Sequence, residues 1–131
     1  MLRVFVETFG ENENLVTEGI NVQRVNFENI CSTEQGIESF KKFVEQYEKK
    51  KDKIIVLTVD SKLSKAYKSF KSLSNNKTIA VINSSLPISG INFVLNRIIK
   101  NKDKSFEELE VYINNLSEMI NTYYFMFAYM L

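Results

Sequence analysis

At 131 residues, 44% hydrophobic and 25% charged, the chain is one ordinary globular domain's worth of sequence. Its net charge of +1 gives it no electrostatic footprint for nucleic acid or an acidic membrane surface. It has no histidine and a single cysteine, which removes the commonest general base, the commonest metal ligand, a phosphohistidine relay, a thiolate zinc site and any internal disulfide.

Residues 2–6 alternate and carry β-branched side chains, which predicts a first strand. Residues 10–19, rich in Glu and Asn, read as a loop, and 20–27 as a short, more exposed second strand. Ser32-Thr33-Glu34-Gln35 has the form of a capping box. The helix it opens carries Ile37, Phe40, Phe43, Val44 and Tyr47 on one face and ends in lysines, where cations suit the dipole. Residues 54–59, apolar on both faces, predict a central parallel strand. A helix is expected over 62–73 with Leu63, Ala66, Tyr67 and Phe70 buried, then a second central strand over 78–82. Asn83-Ser84-Ser85-Leu86-Pro87 is a loop, and 89–100 a helix burying Ile91, Val94, Leu95 and Ile98. A second capping box at Ser105 opens a helix that buries Phe106, Leu109, Ile113, Leu116 and Ile120. The apolar run 122–131 reads as a closing strand in need of cover on both faces. Strands alternating with helices predict an α/β fold: a single three-layer α/β/α lobe, 1–131, around a mostly parallel sheet.

The stretch IIVLTVDSKLSKAYKSF, 54–70, is the most informative. A buried strand runs into a helix start with Ser61 and Ser64 at the junction, and ligands of open parallel sheets bind at such places. Free backbone N–H groups and the helix dipole there favour an anion. Each residue also has a plainer role. Ser32 caps a helix and Asp60 caps rather than catalyses. Asn83 serves a turn. Cys31 is either a thiol whose pKa falls beside a helix start or a small buried hydrophobe. Neither G-x-x-x-x-G-K-[ST] nor G-x-G-x-x-G occurs, no convergent carboxylate pair is visible, and no catalytic residue, metal or cofactor is expected. The lone cysteine and the absence of a secretory leader in MLRVFVETFG point to the cytoplasm. The longest apolar run is well short of the roughly 20 residues of a membrane helix.

Taken in order, Ser32-Thr33 ahead of Glu38-Ser39-Phe40, then DSKLSKAYKSF, then INSSLPISG, then KSFEELEVYINNL, resemble the N-terminal lobe of the bacterial DegV family over about residues 30 to 126. Those are the fatty-acid-binding, lipid-carrying subunits of fatty acid kinase. Their "TSQPS…F", "SxxLSGTYQSA" and "DSxxxSxG" motifs and a helix beginning "SxEE" fall in the same order. The resemblance implies that Ser32, Thr33 and Ser64, with Ser61 beside them, and Asn83 and Ser84 of the third motif, form a ligand site for a fatty acid carboxylate. Here "SGT" is Ser64-Lys65-Ala66, "DS" is Asn83-Ser84, and the family's Asp-Ser after the first strand is Glu7-Thr8. The second lobe of the family has no counterpart in these residues, so a truncated lobe is expected. The expected partners are a fatty acid or similar amphiphile, a second copy in a homodimer, and a two-lobed or kinase partner protein. The alternative is a degenerate, non-catalytic lobe that acts in self-association or protein interaction.

Overall fold

The computed structural model describes residues 1–17, 19–75 and 77–130; the side chains of residues 17, 117 and 121–130 lie outside that description. Five strands, β1 (Leu2–Glu7), β2 (Glu13–Thr17), β3 (Ile20–Val25), β4 (Lys53–Thr58) and β5 (Ile79–Asn83), form one sheet in the order β2-β3-β1-β4-β5. The β3-β1-β4-β5 pairs are parallel and β2 lies antiparallel on β3. The helices are α1 (Phe27–Ile30), α2 (Glu34–Lys49), α3 (Ala66–Phe70), α4 (Ile88–Lys100) and α5 (Phe106–Met130). The fold is the α/β lobe that the alternation of periods predicts, with helices on both faces.

Each face has its own core because side chains alternate across a strand. On one face Val4, Val6, Ile55, Leu57, Ala80 and Ile82 meet Ile91, Val94, Leu95 and Ile98 of α4 and Phe106, Leu109, Ile113 and Leu116 of α5. On the other, Phe5, Ile54, Val56 and Val81 meet Phe27 of α1, Phe40 and Val44 of α2, and Ala66 and Phe70 of α3. The second core is aromatic: the Phe27, Phe40 and Phe70 rings lie 4.7–5.3 Å apart in edge and tilted contacts. Near the start of β1, Arg3 faces this same side. It stacks on the Tyr47 ring at 3.7 Å and donates to Asp52 at 3.2 Å, so a charged side chain within a strand is satisfied.

Four expectations are corrected. Residues 13–17 form β2 where a loop was expected; β2 runs back antiparallel in the plane of the sheet and delivers the chain to β3 without a crossover helix. β5 is an edge strand, not a central one. Its outer edge is blunted by the segment just before it: Asn75 N–H donates to Ile79 O, and Val81 N–H to Ser74 Oγ. The cap of α2 lies one residue later than expected, with Thr33 Oγ1 accepting from Gly36 N–H. Gly36 is required there, since a Cβ would collide with the Ile30 carbonyl. Residues 122–130 continue α5, where a strand was expected. No Gly or Pro lies between Ser105 and Leu131 to stop the helix, and a short apolar run does not distinguish strand from helix.

Candidate functional site

The direction of chain travel diverges at β1 and β4. From β1 the chain moves to β2 and β3 on one side; from β3 it crosses back through α1 and α2 to β4 and continues outward to β5. The carboxyl ends of β1 and β4 therefore flank a topological switch point, the place where open α/β sheets leave a crevice. Glu7 ends β1, and residues 59–65 follow β4.

These two segments are tied together. Glu7 is 1% exposed. Its Oε1 accepts from Val59 N–H at 3.0 Å and its Oε2 from the Ser64 hydroxyl at 2.6 Å. Burial, the largest influence, raises the Glu7 carboxyl above its ordinary value of 4.5. The bonds from Ser64 and Val59 act in the opposite direction, and the nearby Glu28 carboxylate adds to the rise.

The same contacts explain why the helix expected over 62–73 begins only at Ala66, with a turn over 60–65. Asp60 O accepts from the N–H groups of Leu63 and Ser64, Asp60 Oδ1 from Lys62 N–H, and Ser64 Oγ from Ala66 N–H. Local side-chain bonds of this kind compete with helix. Only Ala66–Phe70 is α-helical, and Lys71–Leu73 is one 3₁₀ turn. Leu63, expected in the core, is 61% exposed because the turn directs Ser64 inward instead.

A cleft of about 740 Å³ opens beside this tie, on the α1–α3 side of the sheet. Its walls are apolar at Phe9, Phe27 and Leu63 and polar at Glu28, Ser32, Ser61, Ser64 and the lysines Lys62, Lys65 and Lys68. Three serines, one of them about thirty residues from the other two, thus share one cavity. Their hydroxyl protons differ in commitment. Ser32 donates to Asn29 O at 2.6 Å and Ser64 donates to Glu7. Ser61 accepts from Asn83 Nδ2 at 3.2 Å, which leaves its own proton for a guest. Asn83 therefore stands behind Ser61. Thr33 is engaged as the α2 cap and Ser84 lies buried under the 84–86 turn; neither lines the cleft.

Cys31, the C-cap of α1, also lines the cleft. Cys31 is half-buried, and burial pushes its thiol up, with Glu7 adding to the rise and Ser69 and Lys65 opposing it. Asp60 serves the turn, as a capping residue would. A second, more open cleft of about 560 Å³ lies over Phe40 and Phe43 beside β2 and β3. Among the described residues, no group of three or more His, Cys, Asp and Glu side chains is placed to hold a metal ion, and no helix is long and apolar enough to cross a membrane.

The FakA-like C-terminal family model, whose subject is the C-terminal part of proteins like the A component of fatty acid kinase, matches residues 19–128. The chain belongs to that family. No curated protein and no solved structure matches it. The kinship expected from the order of the junctions holds at this level, as DegV-like and FakA-like together. The match to the FakA-like family takes in β3 to α5 and hence the serine wall of the cleft, while Glu7 and Phe9 precede it. In the sequence Glu7-Thr8 stood out only as a departure from a motif. The signal for Glu7 was an acidic residue closing an apolar strand, much as Asp60 follows the next parallel strand.

Proposed function

We propose that this chain is a small-molecule-binding module, a DegV-like N-terminal lobe with altered motifs, whose cleft takes the carboxylate head of a fatty acid or similar amphiphile and which catalyses no step of its own. The observation that carries the reading is the composition of one cavity: serines and three lysines against a single carboxylate, Glu28, beside Phe9, Phe27 and Leu63. An amphiphilic acid needs that combination. The lysines and the Ser61 hydroxyl meet the head group, while the apolar side receives the chain. Its volume is within the range of small-molecule sites. The fatty acid named in the family description supports the choice of guest. Such a lobe would work in the cytoplasm, with a two-lobed or kinase partner covering the open side of the cleft.

The test is native mass spectrometry of the protein as purified, then denaturing extraction of any bound acid. Delipidated protein should take up labelled fatty acid at micromolar concentration. Ser61→Ala should weaken uptake about tenfold or more, the worth of one hydrogen bond to a charged group. An empty chain that takes up none rejects the reading.

The second reading, a lobe kept for self-association, is favoured by β2. This edge strand pairs only with β3 among the described residues and exposes Leu15 and Val16. It predicts a homodimer by light scattering that Leu15→Lys dissociates; a monomer at high concentration rejects it.

A further inference from the structure

A hydroxyl has one proton to give and two lone pairs to receive. Ser64 gives its proton to Glu7 Oε2 at 2.6 Å and uses one lone pair for Ala66 N–H at 3.1 Å. It therefore offers the cleft an acceptor and no donor while Glu7 is ionised. A carboxylate arriving at Ser64 would meet an acceptor, with a second carboxylate buried one bond behind it. A protonated Glu7 reverses the direction: it donates to Ser64 Oγ, and the Ser64 proton turns to the cleft.

We infer that Glu7 determines which head group the cleft admits, acting through Ser64: a carboxylate enters only as one proton is taken up onto Glu7, whereas an alcohol enters without one. This rests on the binding reading above. The balance is one guest anion and one solvent proton bound together, with no bond made or broken beyond the O–H on Glu7. Glu7 is a positioning residue here, since Ser64 and not Glu7 lines the cavity. Its raised carboxyl pKa supports the uptake. The ionisable groups around the pair are Glu28 and Cys31 on the α1 side, and Asp60, Lys62, Lys65 and Lys68 on the β4–α3 side.

The experiment is titration calorimetry of the full chain with octanoate and with 1-octanol between pH 6 and 8.5. Octanoate affinity for the wild type should fall about tenfold per pH unit above the Glu7 pKa, the slope of one linked proton. The buffer dependence of the heat should show that proton being taken up. 1-Octanol should show no such slope. Glu7→Gln keeps an acceptor for Val59 and donates an amide N–H to Ser64, so this variant should bind octanoate with a flat profile and more tightly than wild type at pH 8. Octanoate binding by the wild type that is flat across this range, or a slope that survives in Glu7→Gln, overturns the inference while leaving the binding reading intact. If neither protein binds octanoate or 1-octanol at any pH, the binding reading fails and the inference fails with it.

Discussion

Lys51 closes α2 with φ 64°, the left-handed conformation that glycine holds at most helix ends. The bonds are those of a Schellman motif: Lys51 N–H donates to Glu48 O and Asp52 N–H to Tyr47 O. A Cβ in this region costs about 1 kcal/mol or more, and glycine gives part of the relief back as unfolded-state entropy. Lys51→Gly should therefore stabilise the fold by about 0.5–1 kcal/mol in urea melts, with the denaturant slope unchanged. Glu7 has the opposite character, a group whose charge the fold resists. Its carboxyl is raised in the folded chain, so between the ordinary value of 4.5 and the raised one the native state binds more protons than the unfolded state. The stability that protonated Glu7 contributes is full below 4.5 and is lost as pH rises through the raised value. Thermal melts should show Glu7→Gln more stable than wild type at pH 8, the gap closing towards pH 4. A gap independent of pH would contradict the burial that produces the shift. Ser32, Ser61 and Ser64 were legible in the sequence as hydroxyls at junctions. The direction of each hydroxyl proton was not, because it depends on Asn29, Asn83 and Glu7, the last lying 57 residues from Ser64.

Elements with a strong period were the most legible. The four positions expected to be buried on α4 and the first four on α5 are all in the core, since three-and-four spacing places them on one face against the sheet. Ile113, fully buried, and Val111, 60% exposed, sit two residues apart on α5 and separate packing from propensity. Ile113→Ala should cost about 2–5 kcal/mol and Val111→Ala less than about 0.5 kcal/mol by chemical denaturation. Similar losses from the two would mean that this part of α5 does not dock as described. The elements that were misread are those where pattern is a weak guide. β2 is an edge strand whose described side chains, Glu13, Asn14, Leu15 and Val16, are all exposed, so it has no buried apolar face to alternate. Residues 62–65 read as helix by period, and only the bonds to Asp60, Glu7 and Ala66 turn them aside. The 122–130 segment has enough apolar residues for either structure, and continuity from the preceding turns of α5 decides for helix.

For the molecule as a unit, residue pattern was enough to dictate the α/β class, the three layers, the parallel strands and the two-sided core. Each of these follows from local period and from how apolar each strand is on its two faces. The absence of histidine and of a nucleotide cradle was equally local. Strand order emerged only on assembly of the sheet; it makes β5 an edge and places the carboxyl ends of β1 and β4 side by side at the switch point. Assembly also selected which hydroxyls share a cavity, admitting Ser32, Ser61 and Ser64 and leaving Thr33 and Ser84 outside. The physical reason is separation along the chain. Period and capping act over a few residues, whereas the tie from Glu7 to Val59 and Ser64 spans 52 and 57 residues and exists only once the sheet has aligned the two strand ends.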